Sequence, residues 1–141
     1  MKNIFFKIIV LSFIVLLLAQ TKAFAQADTL LRVCSQYLTE PYISDGQQYK
    51  ALLNGDEVAE FRSTFYGGTT YRIITCSGLS NGNIRFSSYD RNRNLLFNSE
   101  DHKLTPYWDF KFTNTIDCII EAQLVNKSSG FAIMLIGFKP F

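Results

Sequence analysis

The chain has 141 residues, of which 48% are hydrophobic, 15% aromatic and 18% charged, and its formal net charge is +2. The positive charge comes from the N-terminal segment: the first 25 residues contain Lys2, Lys7 and Lys22 and no acidic residue, so the remainder carries −1. This balance excludes the basic surface typical of nucleic-acid-binding proteins, and we expect no nucleic-acid partner.

The first 25 residues have the pattern of a secretory signal peptide. Two lysines precede an apolar run from Ile8 to Ala19, and Ala23-Phe24-Ala25 then supplies the small residues of a cleavage site. The run is shorter than the roughly 20 apolar residues of a transmembrane helix. We therefore predict cleavage after Ala25. Residues 26–141 would then form a single exported domain, periplasmic or secreted, with no transmembrane segment.

Three cysteines, Cys34, Cys76 and Cys118, follow the leader, and an odd number allows at most one intrachain disulfide. Export places them in an oxidising compartment, where such a bond persists. If one forms, we favour Cys76–Cys118; the alternative is that the cysteines are buried and unpaired. The sequence has no Cys-x-x-Cys spacing and one histidine, His102, so we expect no zinc site and no other cofactor.

A short helix is predicted at the start of the exported part. Asp28 or Thr29 would cap it, and Pro41 would end it. Between them, apolar residues recur at helical spacing and form one face: Leu30, Leu31, Cys34, Tyr37 and Leu38. The alternative is an edge strand through the same segment.

Beyond Asp45, turn-forming Gly, Asn, Asp and Ser residues recur at short intervals. Between them lie runs rich in Tyr, Phe, Ile and Thr, which favour β-strands. Regular short strands with no helices between them predict an all-β antiparallel sandwich. Eight strands are predicted: Gln47–Leu53, Glu57–Tyr66, Thr69–Cys76, Asn83–Tyr89, Leu95–Asn98, Tyr107–Phe112, Thr115–Val125 and Gly130–Phe138.

Residue alternation assigns faces within these strands. In the strand over 115–125, Cys118 shares one face with Ile116 and Ile120, whereas polar residues occupy the other, so we expect Cys118 to be buried. The segment Phe131–Phe138 is apolar on both faces. We therefore predict a central strand that is covered twice, with the N-terminal helix on one side.

Several segments resemble the bacterial pre-peptidase C-terminal domain family. Phe61–Ile73, with its central Gly-Gly-Thr turn, is similar to the family's strand–turn–strand, and Tyr89-Asp90 followed by Asn94-Leu95-Leu96 is similar to its hairpin. The segments 110–112, 116–121 and 130–133 resemble its closing strands. Golgi-dynamics (GOLD) domains share this layout. The resemblance covers about Glu57–Phe138. It implies a jelly-roll-like sandwich with a non-catalytic, adhesive or accessory role.

A literal Gly-x-Ser-x-Gly motif occurs at Gly78–Gly82, and its Ser80 is followed along the chain by Asp101 and His102. In hydrolases this motif places the serine between a strand and a helix. Here the segment after Gly82 has the alternation of a strand, so a glycine-rich hairpin turn is the favoured interpretation and we assign no catalytic residue.

A second motif imitates the oxygen-ligand spacing of a calcium loop: Asp90, Asn92, Asn94 and, further on, Asp101. Leu95 stands where such a loop has glycine, and two arginines interrupt the ligands. An Asx-rich hairpin turn explains the segment better, and a calcium site is the weaker alternative.

The aromatic residues are the best candidates for binding. Tyr66, Tyr71, Tyr89 and Tyr107 flank turns or alternate outward, where they suit sugar or peptide contacts, whereas Trp108 is expected in the core. We predict a non-catalytic interaction module that binds an envelope protein or an extracellular polymer, with a protein or a polysaccharide of the cell envelope as its partner. The alternatives are a structural subunit of a surface assembly, formed by edge-strand pairing, and, less favoured, a small hydrolase.

Overall fold

The structure, a computed structural model, describes residues 1–78 and 82–140, and for residues 16–24 it describes the backbone alone. Within these residues, one long helix precedes eight strands, and short 3-10 helices span Ser99–His102 and Val125–Lys127. All eight predicted strands are confirmed, most of them with ends shifted by one residue. The elements are α1 (Lys2–Ser35), β1 (Ile43–Asn54), β2 (Val58–Phe65), β3 (Thr70–Cys76), β4 (Ile84–Asp90), β5 (Leu95–Asn98), β6 (Tyr107–Lys111), β7 (Ile116–Leu124) and β8 (Ser129–Phe138).

The strands form two four-stranded antiparallel sheets. The order is β1-β8-β3-β6 in sheet A and β2-β7-β4-β5 in sheet B. Strands β1 to β4 therefore alternate between the sheets in the order A, B, A, B, and strands β5 to β8 follow in the order B, A, B, A. This is the topology of an eight-stranded jelly roll. The predicted all-β sandwich is confirmed.

The core lies between the sheets, as the alternation predicts. Phe65, Phe86, Ile73 and Ile120 are fully buried there. β8 is central in sheet A: its even-numbered residues from Ala132 to Ile136 enter this core, and Ile133 and Leu135 face the opposite side. The prediction that this strand is covered on both faces is confirmed.

The N-terminal helix covers the outer face of sheet A. Leu30 and Cys34 of α1 pack against Ile74 of β3 and Ile133 of β8, which confirms the predicted apolar face. The start predicted at Asp28 or Thr29 is wrong, because no glycine or proline interrupts the chain between Lys2 and Ser35 and the helix is continuous.

Among the side chains of α1 that the structure describes, those near the end of the helix pack onto the sheet. Side chains of residues 1–15 are exposed, including large apolar ones, whereas Ala27, Leu30 and Cys34 are buried. Within the described part of the chain, no helix has both the length and the hydropathy needed to cross a bilayer.

The disulfide joins Cys34 of α1 to Cys76 of β3, with their Cα atoms 5.6 Å apart. The predicted Cys76–Cys118 pair is wrong, and the reason is the face each cysteine occupies. Cys76 lies on the outer face of sheet A beneath the helix, whereas Cys118 points from sheet B into the core. The bond therefore fixes the helix to the sandwich instead of joining the two sheets.

The free thiol of Cys118 is buried, as predicted. Burial raises its pKa to about 11, so the reactive thiolate is scarce at neutral pH. We expect a polar thiol reagent to modify the native protein at least about a hundredfold more slowly than an exposed cysteine, and to modify one thiol per chain after denaturation without reductant. Fast labelling of native protein would contradict this prediction.

Candidate binding groove

A groove of about 790 Å³ opens on the side of the sandwich where β1 and β2, the edge strands of the two sheets, lie opposite each other. We call it the edge groove. Its floor is apolar and its rim polar, the combination typical of binding sites. It is lined by Asp45, Gln47 and Tyr49, by residues 62–67, by Thr69 and Tyr71, and by Ile136, Phe138, Lys139 and Pro140.

The turn between β2 and β3 forms one end of the edge groove and is firmly held. The backbone N–H of Tyr66 donates to the Tyr71 hydroxyl at 3.1 Å, and that of Gly68 donates to the Phe112 carbonyl at 2.8 Å. Gly67 lies so close to the next loop that a Cβ atom there would be 2.7 Å from the Thr113 carbonyl oxygen. The turn therefore presents Tyr66, which is 64% exposed, from a fixed backbone.

Charged groups stand at the rim of the edge groove. Asp45 accepts a hydrogen bond from the Gln47 N–H at 2.8 Å, and partial burial raises the pKa of its carboxyl group. Lys139 and Arg62 supply positive charge. None of the described lining residues is a histidine or a cysteine. The arrangement suits binding through apolar contacts with polar groups around them.

The four candidate tyrosines do not form one platform. Tyr66 and Tyr71 lie in the edge groove, where Tyr71 is buried and its ring packs edge-on against Phe65. Tyr89 lies on the outer face of sheet B, and Tyr107 lies beneath the connection after α1, against Tyr37. The four lie apart because Tyr89 is in sheet B, whereas Tyr71 and Tyr107 are on opposite faces of sheet A. A binding role for each of the four stays a prediction.

Trp108 departs from the sequence prediction of a core position. It is 37% exposed and lies near the open edge formed by β5 and β6. Its ring centroid is 4.7 Å from that of Phe97 and 4.3 Å from that of His102. The alternation assigned its face correctly, but β6 is an edge strand, so the Trp108 ring packs against Phe97 of β5 and His102 of the 3-10 helix and stays partly exposed.

The Gly-x-Ser-x-Gly motif is described only in part, because Ser80 lies outside the described residues. The segment after it is strand β4 and not a helix, as the alternation predicted. Asp101 and His102 lie in the 3-10 helix, where the His102 ring stacks on Phe97 with centroids 5.2 Å apart.

The calcium-like segment is a hairpin turn between β4 and β5. Asp90 accepts hydrogen bonds from the Asn92 and Asn94 N–H groups and from the Asn94 side chain, which lower the pKa of its carboxyl group. Asp101 lies beyond β5, in the 3-10 helix. Across the described ranges, no three His, Cys, Asp or Glu side chains are grouped to hold a metal ion. The hairpin turn is the favoured interpretation of this segment, and calcium binding stays the weaker, untested alternative.

Sequence reasoning missed Tyr49, Phe138 and Lys139 as groove residues. They come from opposite ends of the chain and meet because β1 pairs with β8 in sheet A. A local sequence pattern cannot predict the pairing of β1 with β8, because more than half of the chain lies between the two strands.

The fold and the groove define a jelly-roll sandwich with a recess at its open edge, and comparisons with known proteins extend no further than the fold. No protein-family model matches the chain, and no curated protein matches it in sequence. The structure is similar to that of Aeromonas hydrophila PliG, a periplasmic lysozyme inhibitor of g-type lysozyme, with a TM-score of 0.52 and 10% sequence identity. The match covers 71% of this chain and 90% of the PliG chain.

Proposed function

We propose that this protein is an exported, non-catalytic module that binds another protein of the cell envelope through the edge groove. The observation that carries the proposal is the edge groove itself. An apolar floor with a polar rim and an exposed tyrosine on a fixed turn is well suited to a protein side chain or loop. A polysaccharide partner is the alternative, and the same experiment separates the two.

Three features support export to an oxidising compartment. The leader has the pattern of a signal peptide, and the buried side chains of α1 that the structure describes follow the predicted cleavage site at Ala25. Removal of the leader therefore leaves the packing of Leu30 and Cys34 against sheet A in place. The Cys34–Cys76 disulfide is of the kind that persists outside the cytoplasm.

The likeness to PliG and the resemblance to pre-peptidase C-terminal domains support a non-catalytic role. PliG is described as an inhibitor of an enzyme, g-type lysozyme, and the pre-peptidase resemblance implies an accessory function. These likenesses make g-type lysozyme a defined first partner to test, beside proteins of the producing cell's own envelope.

The test compares partner capture by the wild type and two matched tyrosine variants. Immobilised protein is exposed to an envelope extract, and separately to g-type lysozyme and to envelope polysaccharide. We expect capture of a protein, with Tyr66→Ala weakening its affinity about tenfold or more, as truncation of a tyrosine at the centre of an interface does. Tyr66 is largely exposed, so this variant should keep its fold.

Tyr89→Ala is the control, because Tyr89 was an equal candidate from the sequence but lies away from the edge groove on sheet B. Its affinity for the partner should equal that of the wild type. Equal losses in both variants, or capture of polysaccharide alone, would contradict the proposal. Turnover of a glycan or ester substrate by the purified protein would contradict its non-catalytic part.

A further inference from the structure

Edge strand β2 differs from the other three edge strands of the sandwich. β1 carries a register irregularity between Ser44 and Gln48, β5 has only four residues and an irregular register, and β6 has five. Bulges, short length, proline and lysine are among the protections that edge strands have against edge-to-edge pairing. β2 is eight residues long, pairs with β7 without a register shift, and contains no proline or lysine.

The outward face of β2 is self-complementary. Its sequence around Phe61 is Glu60-Phe61-Arg62. When two antiparallel copies of this strand are centred on Phe61, Glu60 of each copy lies directly opposite Arg62 of the other. The same register pairs Val58 with Thr64. Directly opposed residues in an antiparallel pair share a face, so both Glu–Arg pairs form on the outer side of the sheet.

We propose that β2 is a homodimerisation edge: two copies of this chain pair their β2 strands antiparallel about Phe61 and join their B sheets into one eight-stranded sheet. The occupant is a second copy because a single strand supplies both members of each ion pair. A segment of an unrelated protein would need the complementary charges by coincidence.

The side chains at this edge are available for the exchange. The Arg62 side chain is 73% exposed and bonds to Glu60 of its own strand, with its terminal nitrogen 2.7 Å from the Glu60 carboxylate. In the dimer the Arg62 guanidinium pairs instead with Glu60 of the opposite copy. Arg93 remains a second partner of Glu60 at 2.7 Å and of Glu121 at 2.6 Å, so it holds the acidic side chain in position.

The dimer also extends the edge groove. Residues 62–65 of β2 line this groove, and in the proposed register they lie opposite residues 57–60 of the second copy. The β1–β2 turn of each copy therefore approaches the groove rim of the other. This inference goes beyond the proposed function, although the two surfaces share residues 62–65, and it is tested separately because partner capture and self-association have different readouts.

The experiment is a charge exchange, measured by sedimentation equilibrium on protein expressed from the 141-residue sequence. Wild type should be dimeric. Glu60→Arg and Arg62→Glu each place like charges opposite one another at two symmetry-related positions, so each should raise the dimer dissociation constant about tenfold or more. The double exchange restores both pairs and should return the constant to within about threefold of wild type. An equimolar mixture of the two single variants should form a mixed dimer.

Arg85→Glu is the matched control, because Arg85 lies on the outer face of sheet B but on the internal strand β4. Its dissociation constant should equal that of wild type, and circular dichroism of each variant checks that the fold is kept. A wild type that remains monomeric would overturn the proposal. So would a dimer that the single variants leave intact, or a double exchange that fails to restore association.

Discussion

Removal of the Cys34–Cys76 disulfide is expected to lower the free energy of unfolding by about 4 kcal/mol, the loop-closure value for two cysteines 42 residues apart. The bond is the covalent link between α1 and the sandwich. Without it, the helix is held on sheet A by a small cluster that includes Leu30 and Ile133. Detachment of the helix would expose the outer apolar face of β3 and β8, so we also expect increased binding of a hydrophobic dye.

The measurement is denaturant unfolding with and without reductant, and in a Cys34→Ala/Cys76→Ala double variant. The double variant also controls for other effects of the reductant. Because it lacks the disulfide, adding reductant should not change its unfolding midpoint. Peptide mapping without reduction should recover the peptides that contain Cys34 and Cys76 as a disulfide-linked pair, with Cys118 as the single free thiol. An unchanged unfolding midpoint after complete reduction would contradict the account, and a linked Cys118 would contradict the assignment of the bond.

The strands and their buried faces could be predicted from the sequence because both depend on local patterns. Turn residues mark the ends of each strand, and a period of two assigns each side chain to a face. Cys118 in β7 and both faces of β8 are correct for this reason. The order of the strands within the two sheets depends on long-range pairing and needed the structure.

The cysteine pairing failed for a physical reason. Alternation shows that Cys118 points inward, but it does not show that Cys76 points outward until β3 has been placed in a sheet. One signal was present: Cys34 lies on the apolar face of the predicted helix, beside Leu30 and Leu31. A helix expected to cover the sheet brings a cysteine on that face close to a cysteine on an outer strand face.

The edge groove and the β2 edge could not be predicted from the sequence either. Each requires knowing which strands are at the edges, and that depends on pairings between segments as distant as β1 and β8. The Glu60-Phe61-Arg62 pattern is visible in the sequence, but on an internal strand it could not pair with a second copy, because both sides of such a strand are already occupied. The sheet order places β2 at an edge, where one side is free to pair.

The Arg72 cluster joins the connection after α1 to sheet A. Arg72 of β3 lies directly opposite Asp109 of β6 and donates two hydrogen bonds to its carboxylate, at 2.7 and 2.8 Å. It also donates to the Tyr37 carbonyl at 3.0 Å. The guanidinium carbon lies 4.2 Å from the ring centroid of Tyr42 and 4.3 Å from that of Tyr107, and the Arg72 side chain is only 12% exposed.

Arg72→Ala is expected to lower the free energy of unfolding by about 2 kcal/mol, because it removes two hydrogen bonds to the Asp109 carboxylate, one to the Tyr37 carbonyl and the contacts with two rings. The loss is smaller than for a fully buried ion pair, since the Asp109 side chain is 37% exposed and Tyr42 also hydrogen-bonds to it. Arg72→Lys keeps the charge but loses the two-pronged geometry and the ring contacts, so its loss should be intermediate. Arg85→Ala is the control: its ion pair with Glu100 is exposed on both sides, and such pairs contribute about 1 kcal/mol or less.

The pH dependence distinguishes the ion pair from simple loss of packing. Hydrogen bonds from Arg72 hold the pKa of Asp109 below its usual value. A carboxyl group with a lowered pKa in the folded state stabilises the protein above the unfolded-state pKa of about 3.9 and loses that contribution as the pH falls through the folded-state pKa. Wild type should therefore lose stability below about pH 4 more steeply than Arg72→Ala. Parallel pH profiles for the two proteins would show that Arg72 acts through its contacts with Tyr42 and Tyr107 and not through Asp109.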